Sequence, residues 1–485
     1  MQSKVSVRFK RVGRTAALLA MLSGTACSTL GAVKDSLLGG NAGTDEQKRL
    51  TGFIGAAVAD EPRAALAGRE VLALGGSAGD AAVAMGFALT VTLPSRAGLG
   101  GGGACLAYNP SRDGPGQGNP EVVMFTPVAP STAIPNTDRP AAIPMMARGL
   151  FALHARYGRR PFESLISPAE QMARFGVPIS RALLRDLVTV AGPLAADPNA
   201  RAVFVPGGVP LAEGGTLTQS DLGGTLSQLR TAGVGDLYQG GLGRRLEEAS
   251  RLAGGGLPLA DMRGALPRTG APLTLRAGRD MVAFLPPPAD GGLAAAAAFQ
   301  VLQENPANLA GAQARALGTA ARWRQGGGDA LAVLASGASA ASGKSLPPLP
   351  ASTGFAVLDR EGNSVACAVT MGNLFGTGRI APGTGILLGA APRPGATPLL
   401  AAAMAWNANL RGFRAAVTGS GQDGAALAVA AGLSNALGST AAMPAPVPEP
   451  GRANAIACSR YLPDSEGTCT WATDPRGAGL AASSN

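Results

Sequence analysis

Histidine is almost missing: His154 is the only one in 485 residues. A Ser–His–Asp triad must use it or not exist, and a metal site built on several histidines is excluded. Aromatics are scarce, at 4%, while 46% of residues are hydrophobic. The core must therefore be Ala, Leu and Val, with much backbone-to-backbone contact. Gly 70 and Pro 37 are plentiful but carry no G-X-Y period, and their sum stays below the low-complexity level. Collagen and wholesale disorder are excluded. Acidic residues are absent from 1–26, where Lys4, Arg8, Lys10, Arg11 and Arg14 supply half of the +10 net charge. The other Arg residues are scattered among acids and form no stripe. They read as a solvated surface, with no nucleic-acid partner.

That basic start is followed by a short apolar stretch, Thr15 to Leu22, and by Ser23-Gly24-Thr25-Ala26-Cys27. The pattern reads as an export signal over 1–26. The small-residue run ending on Cys27 resembles a bacterial lipoprotein signal, in which the Cys is acylated and opens the mature chain. An ordinary cleaved signal is the alternative. The apolar run is far short of the ~20 residues of a spanning helix. The expected location is the periplasm, with membrane contact only through a lipid anchor on the outer membrane, and 27–50 reads as a tether. Cys105 and Cys367 sit in apolar, strand-like runs and read as core thiols. Cys458 and Cys469 flank a polar loop and form a candidate disulfide.

Glu61 to Leu74 has helical apolar spacing. The run Gly75-Gly76-Ser77-Ala78-Gly79-Asp80 breaks that helix and caps a second one, from Ala81. A Gly-rich segment ending at Gly103 leads into a strand, Ala104 to Tyr108. Helical patterns dominate from Ile143 to about Val190, over Thr216 to Arg263 and over 291–336. A Gly/Ala/Ser/Pro stretch at 336–351 reads as a flexible linker. Two strands follow, Gly354 to Leu358 and Ser364 to Thr370, around the turn Asp359-Arg360-Glu361-Gly362-Asn363. If Asp359 pairs with Asn363, Ser352 faces Thr370 at the open end of the hairpin.

Nucleotide binding is a poor reading of the Gly-rich segments. Gly337 to Ser345 has five residues between its glycines where the phosphate loop needs four. His154, in Leu153-His154-Ala155-Arg156-Tyr157-Gly158, reads as a structural histidine at a helix end. The Ser352, Thr353 and Thr370 hydroxyls are different. Cutting the chain before Ser352 creates a nucleophile with its own free α-amine, a base that lets a hydroxyl attack a carbonyl without histidine.

These residues resemble the γ-glutamyltransferase (γ-glutamyltranspeptidase) family of N-terminal-nucleophile hydrolases. The likeness runs in order through Gly75 to Ala82, Gly98 to Gly102, Leu153 to Glu170, Pro286 to Gly292, Asp359 to Val365, Phe375 to Gly378, Thr418 to Ser420 and Asp474 to Gly477. It implies an α+β, four-layer αββα sandwich. It also implies self-cleavage into a large-subunit region (51–335) and a small-subunit region (352–485), a small-molecule or peptide substrate of the glutathione type, and no cofactor or metal. The family nucleophile is Thr, and Ser352 stands in its place. Thr353 matches the next residue and Thr370 the supporting hydroxyl. Gly419, Ser420 and Gly421 match the oxyanion loop.

Other positions depart from the family. Thr126 replaces the Arg that grips the substrate carboxylate. The acids that grip its α-amine should follow Gly385-Ile386-Leu387-Leu388, where this chain reads Gly389-Ala390-Ala391-Pro392-Arg393. Arg96 and Asn373 are the remaining candidate substrate ligands. A zwitterionic head in a partly desolvated pocket needs paired charges. Two readings follow: a self-cleaving amidohydrolase or acyltransferase, and a degenerate homologue kept as a periplasmic binding or scaffold lipoprotein.

Overall fold

The computed structural model describes residues 49–131, 137–339, 351–393, 397–439 and 441–483. The export signal, Cys27, nearly all of the tether and most of the 336–351 linker lie outside these residues. Thirteen strands build two large sheets. They begin with β1 (Gly55–Ala59), β2 (Gly102–Tyr108), β3 (Glu121–Phe125) and β4 (Arg268–Gly270). The hairpin β5 (Leu273–Ala277) and β6 (Asp280–Phe284) follows. Next come the hairpin β7 (Ser352–Asp359) and β8 (Ser364–Thr370), then β9 (Ala401–Asn407) and β10 (Gly412–Ser420). The last three are β11 (Arg452–Leu462), β12 (Cys469–Thr473) and β13 (Leu480–Ser483). One sheet has the order β13-β1-β7-β8-β2-β3-β4 and the other β12-β11-β10-β9-β6-β5. Each sheet mixes strands from before and after position 352.

Strand alternation produces the layers. In β7, Phe355 and Val357 face a helical core, while Ala356 and Leu358 face the second sheet. Both faces are dry, so the strand reads apolar throughout. The first helical layer includes α1 (Pro62–Ala73), α2 (Ala78–Thr92) and α3 (Met146–Tyr157). The second is α4 (Asp290–Glu304), α5 (Leu309–Gly326) and α6 (Gly424–Gly438). The result is the four-layer αββα sandwich. Small residues allow close packing: a Cβ on Gly86 of α2 would lie 2.5 Å from the Leu150 side chain. Among the described residues no helix is long and apolar enough to cross a membrane.

Local chemistry sets the element ends. Ser77 and Asp80 form a reciprocal capping box at α2: Asp80 N–H donates to Ser77 Oγ at 3.1 Å, and Ser77 N–H to Asp80 Oδ2 at 2.9 Å. His154 is structural, with Nε2 donating to the Arg160 carbonyl at 2.7 Å. Cys458 and Cys469 face each other across β11 and β12 and are bonded, with S–S 2.06 Å. Cys105 and Cys367 correct the sequence reading: they are not separate thiols but a second disulfide, with S–S 2.04 Å. Their strands lie far apart in sequence and become neighbours only in the folded sheet.

The hairpin turn supplies a pH prediction. Asp359 is buried and accepts from Asn363 Nδ2 (2.8 Å) and Ala78 N–H (3.0 Å). Burial pushes its carboxyl from 3.8 up to about 6, against the pull of those donors. The folded chain therefore holds this proton at pH values where the unfolded chain has lost it. The contribution to stability is complete below the ordinary value and is lost as pH rises through about 6. Between about pH 4 and pH 6.5, thermal unfolding should show wild type losing up to about 3 kcal/mol more than Asp359→Asn. Parallel curves for the two proteins overturn the assignment.

Candidate active site

The β7–β8 ladder pairs Ser352 with Thr370, the register read from the turn. Both side chains lie on the strand face turned to the second sheet, with Ala356, Ala366 and Ala368. Ser352 is fully buried, and its Oγ has no hydrogen-bond partner among the described residues. The preceding carbonyl, Ala351 O, accepts from Thr370 Oγ1 at 2.7 Å and from Met371 N–H at 3.4 Å. Thr370 Oγ1 itself accepts from Gly372 N–H at 2.8 Å. With one lone pair so engaged, the hydroxyl proton is directed at the carbonyl. In this uncut chain Thr370 is thus bonded to the carbonyl before Ser352 and makes no hydrogen bond to Ser352 Oγ.

Thr353 projects to the other face of β7, as strand alternation requires. Its Oγ1 donates to Asp60 Oδ2 at 2.8 Å, so it anchors the strand and does not join the Ser352–Thr370 pair. Asp60 directly follows β1 and also accepts from Gly354 N–H (3.3 Å) and Asn454 Nδ2 (3.0 Å). Asn454 Nδ2 lies 2.9 Å from Gly354 O as well. This buried network ties β1, β7 and β11 together beside Ser352. The sequence reading missed Asp60 and Asn454. An acid closing the apolar run Gly55-Ala56-Ala57-Val58-Ala59 was the one available signal. Thr418, in the family-like run Thr418 to Ser420, has an Oγ1 with no partner among the described residues; a Cβ on Gly354 would lie 2.6 Å from it, so it faces β7 across the sandwich.

The segment Gly419 to Gly421 spans the end of β10 and the turn after it. Gly419 is flanked by β9 (at Ala401) and β11 (at Ala453), and its backbone belongs to the sheet. Ser420 is buried and closes β10, paired with Arg452. Gly421 turns the chain toward α6 with φ +98, where a Cβ would meet Pro450 O at 1.9 Å. Gln422, the next residue, lines the cavity described below.

A cavity of about 870 Å³ opens beside Thr370. Asn373 is exposed on its wall, among apolar groups that include Val128, Trp323, Leu374 and Leu400. Arg96 is not among the residues that line this cavity. Its Nε and Nη2 hold both oxygens of Asp186, at 2.7 and 2.6 Å. Burial opposes the Arg96 charge, but Asp186 outweighs it and holds the guanidinium above its ordinary value. The positions that should carry a zwitterion clamp do line the cavity, as Thr126, Ala390, Ala391 and Arg393. The single acid among the described lining residues is Asp290, and Arg324 engages both of its oxygens, at 2.5 and 3.1 Å. Arg139 and Arg393 add positive charge to the same walls.

Two facing antiparallel sheets between helical layers, with a hydroxyl residue opening a central strand, define an N-terminal-nucleophile hydrolase architecture. The family model described as Gamma-glutamyltranspeptidase matches residues 64–324, and the chain belongs to that family. It is 31% identical over 265 residues to the glutathione hydrolase proenzyme of Bacillus subtilis (strain 168), covering 51% of this chain and 44% of that protein. It is 33% identical over 237 residues to the acylase ACY 1 proenzyme of Pseudomonas sp. (strain SE83), covering 45% of this chain and 42% of that one. The match thus spans less than half of each relative. The crystal structure of cephalosporin acylase from Bacillus halodurans shares the fold, with TM-score 0.69 at 18% identity, covering 92% of this chain and 98% of that chain.

Proposed function

We propose that this chain cuts itself before Ser352 and then hydrolyses or transfers amide-linked acyl groups, γ-glutamyl or related. The observation that carries the proposal is the double hydrogen bond on Ala351 O beside a Ser352 hydroxyl that has no partner among the described residues. In the cut, Ser352 Oγ bonds to the Ala351 carbonyl carbon and the peptide C–N bond breaks. The hydroxyl proton passes to the departing nitrogen. Thr370 Oγ1–H and Met371 N–H receive the charge that develops on the carbonyl oxygen. Water then splits the ester, leaving Ala351 as a carboxylate and Ser352 with a free α-amine. In turnover that amine takes the Oγ proton while Oγ attacks the substrate amide.

The cavity narrows the substrate. It holds no unpaired acid for an α-ammonium among its described residues, and it carries two further arginines. An acyl group lacking that ammonium suits it better than γ-glutamyl. Transferring an ammonium to a site without a counter-charge costs more than the ~1.4 kcal/mol that makes a tenfold difference. The kcat/KM for glutaryl-p-nitroanilide should therefore exceed that for γ-glutamyl-p-nitroanilide by at least about tenfold. A tenfold preference for the γ-glutamyl compound overturns this assignment.

The replaced clamp also favours the second reading, a binding or scaffold lipoprotein. Tight, unhydrolysed binding of the glutaryl anilide by an uncut chain would establish it. Export is part of the proposal, and the two disulfides support an oxidising compartment. Acylation at Cys27 is tested by incorporation of labelled palmitate that Cys27→Ala abolishes.

A further inference from the structure

We infer that the Cys105–Cys367 disulfide joins the two chains that self-cleavage produces, so that the mature protein stays one covalent molecule. The inference rests on the cut before Ser352 proposed above. Cys105 lies in β2, before the cut, and Cys367 in β8, after it. The two residues face each other in the antiparallel ladder, with Cα atoms 4.0 Å apart, and their sulfurs are bonded. The other disulfide links Cys458 to Cys469, both after the cut, and cannot hold the halves together.

The tether lies close to the chemistry. Three ladder steps from it, Thr370 pairs with Gly102 at the end of the Gly-rich turn. The bond therefore fastens the strand that bears Thr370 to the segment that follows that turn. It sits on the helix-facing side of the sheet, with both cysteines fully buried in the first helical core. Exchange requires a thiolate to reach a sulfur, so this bond is shielded while the fold is closed. Formation breaks two S–H bonds and makes one S–S bond. Two protons and two electrons leave to an external disulfide oxidant, which becomes a dithiol.

The physical consequence concerns unfolding. In the first sheet, β7 and β8 lie between β1 and β2, so the halves interleave without any covalent link. Untethered halves nevertheless separate when they unfold, and their stability then depends on concentration. A tethered pair unfolds and refolds as one molecule.

The test uses the full-length protein, exported, purified and treated with N-ethylmaleimide before denaturation. With dithiothreitol, a denaturing gel should show two fragments, the smaller beginning at Ser352. Without it there should be one band, and N-terminal sequencing of that band should return a sequence starting Ser352-Thr353. An unreduced digest should yield one linked peptide pair containing Cys105 and Cys367, and Cys367→Ser should release the fragments without reductant. Two bands without reductant overturn the tether and leave self-cleavage standing. One band with reductant and no N-terminus at Ser352 overturn self-cleavage, and the tether with it.

Discussion

Replacing Ser352 with alanine leaves the chain uncut and abolishes amide hydrolysis. The side chain is the one hydroxyl that is both adjacent to the Ala351 carbonyl and free of hydrogen-bond partners among the described residues. Without Oγ no ester can form, so the α-amine that serves as base in later turnovers never appears. One lost atom therefore removes two catalytic groups. Loss of a nucleophile of this kind costs about 10⁴-fold or more in rate, and here the loss of the base accompanies it. Ser352→Thr keeps the hydroxyl and should keep both the cut and the activity, which separates chemistry from packing in this buried position. Reducing gels and initial rates on an acyl anilide check the pair. Cleavage of Ser352→Ala at the same bond would place the nucleophile elsewhere.

What could be read in advance was local. The turn from Asp359 to Asn363 fixes a hairpin register, and that register alone sets Ser352 opposite Thr370. The run from Gly75 to Asp80 marks a helix start, placed at Ala81 from the sequence; the helix begins three residues earlier, at Ala78, because Ser77 is the cap and Asp80 already sits in the first turn. What escaped depends on strands and helices distant in sequence. Cys105 and Cys367 look like ordinary apolar strand residues until β2 and β8 become neighbours. Arg96 looks like a free cation until Asp186, on a later helix, takes its whole guanidinium edge. Asp60 gains meaning only when Thr353 and Asn454 converge on it. The direction of a hydroxyl proton is another such case. Pairing puts Thr370 beside Ser352, but only the Gly372 N–H shows that its own hydrogen points to Ala351 O.

That last geometry makes Thr370→Val the more discriminating substitution. Valine keeps the shape and the β-branch, so the strand is preserved, but Ala351 O is left with only the longer bond from Met371 N–H. Removing one preorganised donor from a developing oxyanion costs about 10²–10³ in rate. The cut should slow by that factor, and Thr370→Ser should restore most of it. A second effect must be separated from the first. Valine also strips Gly372 N–H of its acceptor, and an unsatisfied donor costs about 1–3 kcal/mol of stability. Stability alone, however, does not alter the rate at which a folded precursor cuts. The time course of cleavage, followed in protein that remains folded by circular dichroism, therefore reports the donor. If Thr370→Val cuts within tenfold of wild type, the hydroxyl only holds the strand end, and the charge on Ala351 O is carried by the Met371 backbone.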